Sequence, residues 1–261
     1  MAANEKKEST PSTTEFQFPT EVIDLPTKGV CYDKNSPLRE GKLEIKYMTA
    51  KEEDILTSQN LIKKGVVIDK LLDSLIVTPN ISSKDLTIGD KNAVMIAARI
   101  LAYGAEYTCE VINPNNQERV QHTFNLAECE FTELKEGLDY STGVFDLELP
   151  ISKVNIKFKI LTGADEKLIE SDIKGLKKIG QTAEITTRLK RLIVEVNGET
   201  DKAVINNFVE NMLSRDSLFL RDYVKEVTPD IDLTQEVDIE GETVTVGIPM
   251  TVNFFWPNST T

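Results

Sequence analysis

The sequence is poor in the residues that chemistry most often needs. It holds one histidine, three cysteines and one tryptophan, and aromatics make up 7% of its 261 residues. Every nucleophile–histidine mechanism would have to pass through His122, yet no G-x-S-x-G elbow and no carboxylate beside it in sequence supports one. Cys31, Cys109 and Cys129 are odd in number and far apart, which argues for free thiols and against a disulfide framework. Cys109, His122 and Cys129 form no C-x2-C pair and leave a fourth ligand unnamed, so no metal is expected. Carboxylates number 43, which makes any chosen pair of them uninformative as a glycosidase dyad. No catalytic, cofactor-binding or metal-binding residue is assigned, and the chain reads as a non-enzyme.

Positive charge is also scarce. Thirty Lys and Arg face 43 Asp and Glu, for a net charge of −13. Phosphate contact needs clustered Lys and Arg, and the one short basic run is Arg188-Leu189-Lys190-Arg191, so nucleic acid is not expected as a partner. Apolar runs of about 18 residues are missing, and the first sixteen residues have no apolar core, so neither a membrane span nor a secretory signal is expected. The expected site of synthesis is a cytoplasm. Gly175 to Thr182 is one residue short of the phosphate-binding pattern, with Gln181 where its lysine belongs. That segment reads instead as a loop between helices, with Thr182 capping a helix over Ala183–Val196.

What is present is ordinary globular material, 40% hydrophobic and 28% charged, enough for two modest domains. Residues 1–15 lack large apolar side chains and read as a disordered, mobile tail. Residues 16–39 read as an extended arm with a turn, because its prolines disfavour helix. Leu43, Ile45 and Tyr47 then alternate with charges as in a half-buried strand, and Thr49 with Glu52 forms a capping box for the helix that follows. Further helices are expected over Ile68–Val77 and from Asp90 to Leu101, followed by a hairpin of Glu106–Ile112 and Arg119–Leu126.

This order recurs. Leu43, Ile45, Tyr47 and Thr49 have counterparts 113 residues later in Ile156, Phe158, Ile160 and Thr162. Leu72, Leu75 and Ile76 match Leu189, Leu192 and Ile193 at a separation of 117, and Asp90 matches Asp216 at 126. A second hairpin is expected over Thr234–Ile248. The expected fold is therefore α+β, built of two tandemly duplicated modules at 40–135 and 145–256, each a strand, about three helices and a β-hairpin.

The chain closes on Phe254-Phe255-Trp256-Pro257. Such a terminal segment either completes the core of its own module or anchors a partner, since Trp and Phe are enriched at interface hot spots. Phe254, Phe255 and Trp256, with Phe16 and Phe18 of the arm, are the candidate partner-contact residues.

An ordered set of segments carries a family resemblance. It comprises Ile23 to Gly29, Tyr47 to Leu56, Leu86 with Gly89-Asp90-Lys91, Ala97 to Ile100 with Tyr103-Gly104, and Phe254 to Pro257. Together they resemble the T4-like bacteriophage baseplate hub subunit or baseplate hub assembly protein family over about residues 23–257. The resemblance implies a late protein of contractile-tailed phages, made in the host cytoplasm and acting in tail baseplate assembly without catalysis. Its implied partners are other baseplate hub or tail proteins, including the tape-measure protein, in an oligomeric assembly. Hub component of the virion is the first expectation and transient assembly chaperone the second; a tail-associated cell-wall hydrolase comes third. Relatives often carry paired cysteines in the hairpins, whereas here the second hairpin has none.

Overall fold

The computed structural model describes residues 18–113, 116–239, 241–250 and 252–255. The expected mobile tail at 1–15 lies outside the described residues.

The first described strand, β1 (Thr20–Asp24), pairs antiparallel with β2 (Lys42–Lys46). The expected extended arm is thus paired within its own chain. Helices α1 (Ala50–Thr57), α2 (Gln59–Lys64) and α3 (Val67–Leu75) follow. The capping box is as expected on α1: Glu52 accepts from the Thr49 amide at 2.9 Å and from its hydroxyl at 2.6 Å. Helix α3 stops two residues early, because Ile76 bridges Ile45 and the Val77 amide donates to Glu44 O at 2.9 Å. Helix α4 (Ile88–Tyr103) is capped by Thr87, not by Asp90, which lies buried in its first turn. Strands β3 (Glu106–Ile112) and β4 (Arg119–Asn125) form the first hairpin.

The second half repeats these devices. Strand β5 (Val144–Glu148) pairs antiparallel with β6 (Asn155–Lys159), and Thr162 with Asp165 forms a capping box on α5 (Gly163–Lys178). Helix α6 (Glu184–Leu192) is followed by β7 (Ile193–Val196), which adds to the free edge of β6. The expected helix over Ala183–Val196 is corrected here: its β-branched end, Ile193-Val194-Glu195-Val196, is strand, and its N-cap is Ala183 with no side-chain bond from Thr182. Helices α7 (Lys202–Glu210) and α8 (Ser214–Val227) precede the second hairpin, β8 (Thr234–Ile239) and β9 (Glu242–Gly247). The architecture is α+β, helices with small antiparallel sheets.

Two apolar cores result. The second gathers Phe145, Phe158, Ile169, Leu189, Leu192 and Leu220 from β5 to α8. The first holds Leu43, Ile45, Leu71, Leu72, Val94 and Phe124, and it also takes Val237, Val244, Val246, Phe254 and Phe255 from the chain's end. The second hairpin therefore leaves the 145–256 unit expected for it and packs beside the first, its approach pinned by the bridge Phe131–Ile231.

A backbone seam joins the cores. Gly163 N donates to Leu86 O at 2.9 Å, Ala164 N to Lys84 O at 3.0 Å, and Ile88 N to Leu161 O at 3.3 Å. A Cβ on Gly163 would lie 2.3 Å from Ser83 O, and one on Gly89 would lie 2.0 Å from Pro229 O, so only glycine allows these approaches. Asp69 on α3 spans the seam, paired with Lys91 at 2.6 Å and with Lys167 at 3.0 Å.

Candidate partner-binding surfaces

Of the five candidate contact residues, Phe16 and Trp256 lie outside the described residues. Phe18 is 52% exposed beside β1, with the Lys46 ammonium 5.6 Å from its ring centre. Val22 on the same face of the strand is also exposed, and β1 pairs only with β2 among the described residues. Among the described residues β1 thus presents an open strand edge with apolar side chains beside it.

Phe254 and Phe255 are placed differently from the partner-anchor expectation. Both are fully buried in the first core, with Phe254 edge-on to Tyr107 at 5.0 Å and to Phe255 at 5.2 Å. Arg99 holds them there. Its guanidinium donates to Phe254 O at 2.9 Å, Gly104 O at 3.0 Å and Glu106 O at 3.2 Å, and lies over the Tyr103 and Tyr107 rings. Burial lowers the Arg99 pKa from its ordinary value, and carbonyl oxygens and ring faces supply the partners that no carboxylate does. In this fold the two rings are core, so they offer no surface to a partner. Sequence reasoning missed Arg99, and its position four residues before Tyr103 on a helix was the available sign.

The other buried polar groups also tie segments together. Asp90 accepts from the Thr27 amide at 3.0 Å, the Thr27 hydroxyl at 2.8 Å and the Tyr32 hydroxyl, clamping the turn after β1 to the start of α4. Burial raises the Asp90 pKa more than these bonds lower it, and burial with the nearby carboxylate raises that of Tyr32. Asp216 on α8 accepts from Ile151 N at 2.9 Å and Ser152 N at 3.0 Å in the turn after β5. Glu52 is buried, which raises its pKa, but bonds from Ser74, Thr49 and Lys46 outweigh this and bring it down to about 2. Lys159 and Asp165 repeat the Lys46–Glu52 pair, at 2.6 Å against 2.9 Å.

His122 faces Cys109 across the first hairpin and packs edge-on to Phe124 at 4.8 Å. Cys129 lies 3.8 Å from the Gln235 side-chain amide. Among the described residues no group of three His, Cys, Asp or Glu side chains is placed to hold a metal. No helix among them is long and apolar enough to cross a membrane.

Two grooves open on the second half. One, of about 750 Å³, lies where the cores meet and has an apolar lining that includes Ile88, Leu161, Leu189, Val224 and Ile231. The other, of about 820 Å³, runs between α5, α6 and α7 and is rimmed by Lys159, Lys190, Arg191 and Lys202.

The geometry defines a class, an α+β protein whose buried polar groups brace chain segments and whose exposed strand edge and grooves suit contact with other chains. The family follows from comparison: the chain matches the model described as T4 bacteriophage base plate protein over residues 28–256 and belongs to that family. It is thereby a structural protein of the bacteriophage tail baseplate, one that contacts other baseplate or tail proteins. No match was found among curated proteins or solved structures.

Proposed function

We propose that this chain is a hub subunit retained in the mature baseplate, made in the host cytoplasm and acting by protein contact without catalysis. The reading rests on the family match together with the exposed edge of β1, where Phe18 and Val22 can take a strand from a neighbouring hub or tail protein. In the same reading the two halves descend from one duplicated unit. The paired devices Lys46–Glu52 and Lys159–Asp165, both at a separation of 113, support this. So do Leu25-Pro26 and Leu149-Pro150, which each follow the outer strand of a β-pair. Superposition of 20–103 on 144–227 in an experimental structure tests the duplication, and unrelated paths of the matched strands would end it.

A transient chaperone is the second reading. The apolar groove where the cores meet favours it, since such a lining could hold a segment of a hub or tape-measure protein before release. Quantitative mass spectrometry of purified particles against infected-cell lysate separates the two. Stoichiometric presence in particles supports the hub subunit; abundance in lysate with absence from particles supports the chaperone. A hydrolase that depends on histidine would lose activity on His122→Ala, whereas the structural reading expects infectivity to persist.

A further inference from the structure

We propose that a second copy of this chain docks head to tail, laying its acidic 128–139 segment into the basic groove between α5, α6 and α7. The charge of the chain is unevenly spread. Residues 153–202 carry eleven basic side chains against eight acidic ones, in a molecule of net charge −13. Their clearest concentration is the groove rim, where Lys159, Lys190, Arg191 and Lys202 face a floor that includes Leu176, Ile193 and Ile205. Lys190 pairs with Glu210 at 2.6 Å and Arg191 with Asp172 at 3.5 Å, and those carboxylates are 60% and 55% exposed. Such exposed pairs contribute little to stability and exchange readily for another carboxylate. Lys202 makes no ion pair among the described residues.

The complement lies in the same sequence. The irregular segment after the first hairpin carries Glu128, Glu130, Glu133, Glu136 and Asp139 against Lys135 alone, and that lysine is already paired with Glu226 at 2.6 Å. Glu130, Glu133 and Glu136 are exposed and make no ion pair among the described residues. Phe131, also in this segment, is exposed at 37% and matches the partly apolar floor. Within its own chain the segment is held by residues that do not line the groove. Phe131 bridges Ile231, Thr132 N donates to Asp230 O at 2.8 Å, and the Tyr140 hydroxyl donates to Val227 O at 3.1 Å. Its carboxylates are therefore presented outward, to another molecule. At an ionic strength of about 0.15 M the screening length is about 8 Å, so repulsion between two acidic bodies fades while contact pairs in the groove persist. Because groove and segment are different surfaces, the contact is heterologous and builds a ring or a filament.

Sedimentation velocity of the full chain near physiological salt tests this with charge exchange. Wild type should associate as concentration rises. Lys190→Glu with Arg191→Glu, or Glu130→Lys with Glu133→Lys and Glu136→Lys, should each weaken association by at least about tenfold. Combining both sets restores opposite signs across the contact and should recover association. Lys202→Glu, which breaks no ion pair among the described residues, gives the same reading should the double groove variant misfold. A monomeric wild type, association indifferent to either set, or a combined variant that stays monomeric would overturn the proposal.

Discussion

Glu52 and Asp165 close matching capping boxes, and each adds a lysine from the strand before its helix, Lys46 and Lys159. For Glu52 the bonds from Ser74, Thr49 and Lys46 prevail over burial and set its pKa at about 2. A folded-state pKa below the ordinary 4.5 means that the unfolded chain binds the proton more readily. The stabilisation is then full above about pH 4.5 and is lost as pH falls toward 2. Glu52→Gln should cost about 2–3 kcal/mol at neutral pH and much less near pH 2. Urea unfolding at both pH values checks this, and an equal cost at both would contradict the charge-based account. Thr49, Glu52 and the second box were legible in the sequence, since capping is decided within four residues. Arg99 and the Asp90 clamp were not, because their partners lie in distant segments, at Phe254 and at Thr27 and Tyr32.

At the scale of elements, the helices meet at backbone distance where the cores join. Gly89 and Gly163 stand in the first turns of α4 and α5, where alanine would ordinarily be the better helix former. Here an added methyl meets a carbonyl at 2.0 Å or 2.3 Å, and backbone cannot yield as a side-chain end can. Gly89→Ala and Gly163→Ala should each lower stability by about 1–3 kcal/mol. Gly175→Ala, also on α5 but with nothing within 4 Å, should raise it by about 0.5–1 kcal/mol. Thermal midpoints of the three variants decide the matter; a loss at Gly175 equal to that at Gly89 would show that close contact at the seam is not the cause. Strand β7 shows why the end of α6 was misread. The apolar spacing of Leu189, Leu192 and Ile193 suits a helix face, but Ile193 to Val196 find the open edge of β6 and are taken as strand.

For the whole molecule, the path of the described residues from Ile231 to Phe255 matters most. The second hairpin and Phe254-Phe255 return to the first core, where they meet Leu25 from the turn after β1. Phe255→Ala should cost about 3–5 kcal/mol and lower the midpoint of the first core at least as much as that of the second. Hydrogen exchange resolved by segment measures both, and a midpoint unchanged by the substitution would return Phe255 to a surface role. This crossing also makes residues 231–255 a strap that couples the halves, alongside the Asp69 pairs with Lys91 and Lys167.

By itself the sequence determined the α+β class, the main strands and helices, the capping boxes, the acidic balance and the family resemblance. Each of these is written in local spacing or in bulk composition, where a few neighbouring residues suffice. It took the folded arrangement to bring the second hairpin to the first core, to bury Phe254 and Phe255, and to gather charge into a basic groove with an acidic segment elsewhere. Those outcomes depend on which apolar faces find each other across more than a hundred residues, and an amphipathic pattern says that a face will be covered without saying by what.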